Sequence, residues 1–148
     1  MISNSDEAAR RRKTVLIMGC GRLGALIATS LVEQGCKVHI LDPAAETFGR
    51  LPEIMVREGS IEPVIGDGTH QADLRKASIR DADVFIAVSG RDTQNALAAQ
   101  MALHVFEIPN VICRMNDLTR KEMYDGLGIT AVSGIRLVAD MMISAARS

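Results

Sequence analysis

Short apolar runs alternate along this chain with stretches of helical period. Residues 15–18, Val-Leu-Ile-Met, form a continuous apolar run, the pattern of a strand buried on both faces. From Leu23 the apolar positions Leu23, Leu26, Ile27 and Leu31 recur on one helical face, and Gly35 stands where a C-terminal stop belongs. A second strand is predicted over 37–41. A short helix over 44–51 stops at Pro52, and 52–59 is weakly patterned. The third strand, 61–65, contains Pro63, which has no N–H to give a ladder and therefore belongs at a sheet edge.

Thr69 is expected to cap a helix over 70–77. The apolar run 83–88 is a fourth, fully buried strand. After it Asp92 or Thr93 caps a helix whose stripe is Leu97, Ala98, Met101, Ala102 and Val105. Residues 110–113 make a fifth strand with Arg114 at its end. Asp117 or Thr119 caps the next helix, with Thr119 and Glu122 at capping-box spacing. Gly126 and Gly128 close that helix before a sixth strand, 130–132. Residues 134–148 predict a final helix with two apolar faces, Ile135, Val138, Met142 and Ala145 on one, Leu137 and Met141 on the other. Two apolar faces need two covers, here its own sheet and a second subunit.

Strands alternating with helices predict an α/β fold, a Rossmann-like doubly wound parallel six-stranded sheet in a single domain. The order 3-2-1-4-5-6 puts strand three at the edge, where Pro63 requires it. The expected division is a flexible N-terminal tail over 1–12, the domain over 13–133, and the C-terminal helix over 134–148, available for dimer packing.

Composition narrows the class of function. The 148 residues are 47% hydrophobic and 24% charged with net charge −1, which suits a globular domain and advertises no nucleic acid. Three Phe, one Tyr and no Trp leave no stacking platform for single strands. The three cysteines, Cys20, Cys36 and Cys113, are scattered and form no C-x-x-C, which suits a reducing cytoplasm. No apolar run approaches the ~18 residues of a membrane span. The basic run Arg10 to Lys13 reads as a solvated lead-in to the first strand, or as a contact for a phosphate-bearing surface.

Candidate chemistry gathers at the carboxyl ends of the strands. Gly19-Cys20-Gly21-Arg22-Leu23-Gly24 follows the first strand and opens a helix, the context in which G-x-G-x-x-G binds a dinucleotide. The helix start offers unpaired N–H groups and a positive dipole end to an anion. Asp42 lies 18 residues after Gly24, the place of a ribose-binding carboxylate. A carboxylate there repels a 2′-phosphate, and Pro43-Ala44-Ala45 supplies no Arg to compensate. Gly66-Asp67-Gly68-Thr69 and Ser89-Gly90 end the third and fourth strands, which line the ligand crevice of an open α/β sheet.

These motifs, with Ile40-Leu41-Asp42, the run 82–87, Asn95, Arg114 and Leu127-Gly128-Ile129-Thr130, resemble the TrkA N-terminal domain, also called the RCK or KTN domain. The likeness runs from about Lys13 to about Ser133. It implies a Rossmann fold that binds NAD(H) or ATP, ADP or AMP, performs no chemistry, and gates a potassium channel or transporter as a cytoplasmic regulatory subunit. By motif, Gly19, Gly21 and Gly24 approach the phosphates, Arg22 reaches a terminal phosphate, and Asp42 holds the ribose. Asp67 and Gly68 lie near the adenine, and Ser89 and Gly90 line the opposite wall. Cys20, Leu23, Pro43 and Thr69 complete the expected cofactor-binding set, and the role of Arg114 stays open. The implied partners are a second copy or larger ring and a membrane-embedded potassium channel or transporter subunit. Many such proteins carry a second ligand domain or a fused pore, neither of which is present in these 148 residues.

Two other readings stand beside this one. A small NAD-dependent oxidoreductase needs a catalytic acid or base, yet the single Tyr124 has Gly128, not Lys, four residues on, and His39, His70 and His104 are isolated. A nucleotide-independent oligomerisation module would use the apolar helices alone. Cys20 at a helix N-terminus has the setting of a lowered thiol pKa and a redox sensor, while its residue type fits a packing role within the turn. The eight Met read as core and interface filler, and no metal constellation is visible.

Overall fold

A computed structural model describes residues 11–148. Six parallel strands are joined by helices: β1 (Thr14–Met18), α1 (Arg22–Glu33), β2 (Lys37–Asp42), a 3₁₀ helix (Ala45–Arg50), α2 (Glu53–Arg57), β3 (Ile61–Ile65), α3 (Gln71–Lys76), β4 (Val84–Ala87), α4 (Asp92–His104), β5 (Asn110–Arg114), α5 (Leu118–Gly126), β6 (Thr130–Val132) and α6 (Gly134–Ala146). The sheet order is β3-β2-β1-β4-β5-β6, all pairs parallel. This is the doubly wound Rossmann-like order, with Pro63 on the edge strand where its missing N–H is harmless.

The period-two alternation of strands divides the core into two layers. Leu16, Leu41 and Phe85 point to one face, packed beneath α4, while Val15, Ile17, Val38, Ile40 and Ile86 point to the other with Ala25 and Ala28 of α1. His39 points into the first layer near the edge, its Nδ1 3.3 Å from Glu62, which also accepts from Lys37. Burial there lowers the His39 pKa, and Glu62 opposes part of that effect.

The expected stripe on α4 is only partly the buried one. Asn95, Ala96, Ala98, Ala99 and Ala102 face the sheet, while Leu97 and Val105 are about half exposed. Phe85 and Val111 already fill the layer from the sheet side, so the helix approaches on its small residues. Neither Asp92 nor Thr93 occupies the cap position of α4. Arg91 stands there, and the Asp92 carboxylate instead accepts from the N–H groups of Asn116 (3.2 Å) and Asp117 (2.9 Å). At α5, Asp117 is the cap, its Oδ1 accepting from Thr119 and Arg120, so Thr119 lies within the helix.

The final helix departs from expectation more sharply. Ser133 caps α6, but no residue of that helix is buried. Ile135, Met141 and Met142 are 67%, 73% and 68% exposed, and Leu137, Val138 and Ile143 are about half exposed. The sheet of this chain buries neither apolar face of α6. Gly134 and Leu137 border an apolar groove of about 360 Å³ together with Leu23, Ile27, Ile86, Val88 and Ile112.

Of the basic lead-in, Arg10 lies outside the described residues. Arg11 pairs with Asp83 at 2.7 Å, and Arg12 donates to the carbonyls of Gly35 and Cys36.

The junction of β1 and α1 is the tightest point of the fold. A Cβ on Gly24 would lie 1.9 Å from the carbonyl oxygen of Gly19, whereas a Cβ on Gly126 would meet nothing within 4 Å. Gly24→Ala is therefore expected to destabilise the domain by about 1–3 kcal/mol through overpacking. Gly126→Ala, within a helix, is expected to add up to about 1 kcal/mol. Urea unfolding midpoints of the two variants should move in opposite directions.

Candidate functional site

Five loops at the carboxyl ends of β3, β2, β1, β4 and β5 form one crevice of about 640 Å³. Of the residues singled out in the sequence, Gly19, Gly21, Arg22, Leu23, Asp42, Pro43, Asp67, Gly68, Thr69, Ser89 and Gly90 all line it. Cys20 and Gly24 do not, and their roles are different.

The glycine-rich turn works by close approach. Gly19 has φ +107°, and a Cβ there would lie 2.9 Å from the backbone nitrogen of Ser89, so β1 and the end of β4 meet at van der Waals limits. Gly24 brings the first turn of α1 down onto Gly19. Gly21, by contrast, faces open space on the crevice side, where a Cβ would meet nothing within 4 Å. Gly21 is also the cap residue of α1 and offers no side-chain acceptor, and the first turn holds no acidic residue. The initial N–H groups of a 12-residue helix are thus left for an anion, with the dipole favouring it.

Cys20 is fully buried, and burial raises its thiol pKa, the opposite of the redox-sensor expectation. Its Sγ lies 3.5 Å from the Thr47 carbonyl, and its N–H donates to Asp42 Oδ2 at 2.9 Å. Cys20 therefore packs the back of the turn and fastens it to β2. Asp42 does double duty: Oδ2 takes the Cys20 N–H and Oδ1 the Ala44 N–H at 2.8 Å. A carboxylate has about four acceptor positions, so about two remain for ribose hydroxyls.

Thr69 does not cap α3. His70 occupies that position, and the Thr69 hydroxyl donates to Asp67 Oδ1 at 2.6 Å, joined there by the Thr69 N–H at 2.8 Å. These bonds hold the Asp67 carboxyl below the usual carboxylate range. Asp73 Oδ2 in turn accepts the Asp67 N–H at 2.8 Å, so the loop after β3 is closed on itself.

Across the crevice, Asn95 is fully buried with all its bonding capacity used. Its Oδ1 accepts from the Ser89 N–H (2.9 Å) and hydroxyl (2.7 Å). Its Nδ2 donates to the carbonyls of Ser89 (3.0 Å) and Arg114 (3.1 Å). One side chain thereby sets the relative position of the β4 and β5 ends.

Met18, Leu41, Thr47, Arg50, Val88, Gln94 and Arg114 also line the crevice. Pro43-Ala44-Ala45 supplies no Arg, as read from the sequence, but the 3₁₀ helix brings Thr47 and Arg50 to the same crevice as Asp42. Its sequence signal was an Arg eight residues past Asp42 in a segment too irregular to place. Leu23, Val88 and Arg114 border both the crevice and the apolar groove beside α6, as a shared wall. Tyr124 is elsewhere, buried beneath α4 with its hydroxyl accepting from Gln100 at 3.1 Å. His70 is exposed outside the crevice wall, with Asp67 at 3.8 Å. No described helix is long and apolar enough to cross a membrane.

Residues 15–134 match the TrkA-N domain. Among curated relatives, the chain is 39% identical over 129 residues to the Trk system potassium uptake protein TrkA of Streptomyces coelicolor, covering 87% of this chain and 56% of that protein. It is 34% identical over 111 residues to a Trk system potassium uptake protein TrkA homolog of Pyrococcus abyssi, covering 75% and 47%. The chain thus spans about half the length of these relatives. Solved structures of like fold include the TrkA-N domain of the inner membrane protein ybaL from Escherichia coli (TM-score 0.77, 17% identity, 92% of this chain and 98% of that one). The AMP-bound Kef CTD of Shewanella denitrificans follows at TM-score 0.71 and 19% identity, covering 91% and 80%. The NAD-bound GsuK channel matches at TM-score 0.63 and 16% identity, covering 84% of this chain and 22% of that one. A match that starts in the first buried strand and ends at the first residue of the last helix places this chain in the TrkA-N domain family.

Proposed function

We propose that this chain binds an adenine nucleotide, NAD(H) or ATP, ADP or AMP, and uses the occupancy of that site to gate a potassium uptake channel or transporter. The observation that carries the reading is the uncapped, acid-free start of α1 opening onto the same crevice as Asp42. One end is suited to phosphates and the other to a ribose. Asp42 disfavours a 2′-phosphate, because its carboxylate is fixed by two backbone N–H groups at the end of β2. Arg50, on the exposed 3₁₀ helix, is less fixed, so an unphosphorylated ribose is the preferred ligand over NADP.

A regulatory role fits better than catalysis. No His, Tyr or Cys side chain lines the crevice among the described residues, and its two carboxylates, Asp42 and Asp67, already accept hydrogen bonds from the surrounding loops, which suits binding better than proton transfer. The relatives named for potassium uptake support a transport role, and the reading places that role in the cytoplasm on a membrane-embedded partner. The bare apolar faces of α6 support self-association as a homodimer or larger ring.

Thermal shift with NAD, NADH, NADPH, ATP, ADP and AMP tests the binding reading. A ligand at 100-fold excess over its Kd adds about 2.7 kcal/mol of apparent stability. Asp42→Ala is expected to unfold earlier without ligand, because Cys20 and Ala44 lose their acceptor, and also to show a smaller ligand-induced shift. Absence of any shift in the wild type rejects the reading. In cells, removing the protein should lower potassium uptake at limiting external potassium, with restoration by wild type and not by Asp42→Ala. Unchanged uptake would leave nucleotide binding standing and remove the transport role.

Self-association is read by sedimentation velocity. The double variant Leu137→Glu, Met141→Glu should sediment as a monomer at concentrations where wild type is at least dimeric. A monomeric wild type rejects this part.

A further inference from the structure

Of the three histidines only His39 is buried, at 8% exposure, and nothing in the proposed function uses it. In the sheet register it lies between Leu16 of β1 and Glu62 of β3. Leu16 is fully buried, so that side is dry. On the other side the Glu62 carboxylate stands 3.3 Å from Nδ1 and also takes the Lys37 ammonium at 3.0 Å. Asp81, in the 3₁₀ turn Ile79–Asp81 ahead of β4, adds a second carboxylate, while α3 buries only the apolar Leu74 in this layer. Burial is the largest influence and disfavours a proton on His39. Glu62 and Asp81 favour it, Lys37 repels it, and the pKa lies below its ordinary value.

The weak side of this cluster is β3. It pairs with β2 alone, and Ile61 is its only buried residue. A proton on His39 costs least once water reaches the ring. Parting β3 from β2 admits that water and breaks one strand pairing, whereas parting β2 from β1 would expose the fully buried Leu16 and Ile17. The consequence reaches the crevice along the backbone. At the end of β3 the Gly66 N–H donates to the Asp42 carbonyl at 3.1 Å, and the loop that follows carries Asp67, Gly68 and Thr69.

We propose that His39 is a proton-operated release of the sheet edge, which frees β3 and the loop carrying Asp67 when the surroundings acidify. Proton linkage sets the direction. A released ring takes a proton at its ordinary pKa of about 6.5, and the packed ring only at lower pH. The packed edge is therefore at full strength above about pH 6.5 and weakens as pH falls below it toward the folded value. A matching fall in ligand affinity rests on the adenine-nucleotide reading of the crevice, and the release itself does not.

Hydrogen exchange of the ligand-free full chain tests this, read by mass spectrometry at about pH 7.5 and about pH 5.5 and corrected for intrinsic rates. In wild type the opening of segment 60–69, relative to β1 and β4, should rise severalfold on acidification. About tenfold is the ceiling for one proton at about one pH unit below the free value. His39→Gln should abolish the rise. Glu62→Gln should enlarge it, because a carboxylate that offsets burial is gone. No rise in wild type overturns the proposal, as does an equal rise across all strands or a rise that survives His39→Gln. A rise reduced by Glu62→Gln overturns it too. Isothermal titration with AMP at the same two pH values reads the link to the crevice. Acid should weaken AMP binding more in wild type than in His39→Gln, a comparison in which the titrations of AMP and of His70 beside Asp67 cancel. Equal weakening in both chains overturns that link. Absence of AMP binding removes the nucleotide reading and leaves the release to the exchange result.

Discussion

The carbonyl of Gly19 sits where a side chain at Gly24 would have to be, and the rest of the site depends on that approach. Because α1 starts almost on top of β1, its first N–H groups open at the mouth of the crevice and are not buried in the layer below. The same closeness explains why Gly19 takes a positive φ and abuts the Ser89 backbone, so the β1 and β4 loops share one wall. Cys20 completes the constraint from behind, filling the space under the turn and giving its N–H to Asp42. A ribose-binding candidate and a phosphate-binding candidate are thus locked together through one hydrogen bond. Substitution at either is felt at both.

Buried or half-buried polar groups fix the remaining loops in the same manner. Asn95 stitches β4 to β5, Asp92 holds the segment after β5, and Asp73 closes the loop carrying Asp67. Asp92 and Asp73 accept backbone N–H groups left unpaired where the strands stop, while Asn95 accepts the Ser89 N–H and donates to the Ser89 and Arg114 carbonyls. The loops lining the crevice are consequently built as rigid edges, so a ligand meets preorganised groups and need not order them.

The fold was legible because its signals are local. Continuous apolar runs marked the strands, and Pro63 at β3 selected the sheet order that the structure has. Most of the crevice was legible too, since G-x-G-x-x-G and the strand ends have fixed places in such a sheet. What failed depended on neighbours distant in sequence. Leu97 and Val105 matched helical period, but the sheet had already filled the layer, leaving room only for Ala96, Ala98, Ala99 and Ala102. Thr69 and Asp92 have the chemistry of caps, yet each found a stronger partner, Asp67 in one case and the Asn116–Asp117 backbone in the other. Arg50 could be placed only once the 3₁₀ helix was seen to turn back toward Asp42. For Cys20 the two readings were separated by burial, which outweighs the helix-start electrostatics and leaves the packing role.

A sensor has to convert occupancy into a change elsewhere, and a ligand can do so only by binding two states unequally. Under the proposed reading, the place for that inequality is the wall of Leu23, Val88 and Arg114, the residues that face both the crevice and the apolar groove. Leu23 belongs to the first turn of α1, whose N–H groups would be tied by phosphates. Arg114 stands at the end of β5 and borders both the crevice and the groove. A ligand that met one wall residue differently in two states would bias the other side of that wall. The groove borders Leu137 at the start of α6, a long helix with no buried residue. Movement of a side chain or two in that wall would therefore alter the surface beside the helix available for assembly, with no rearrangement of the sheet required.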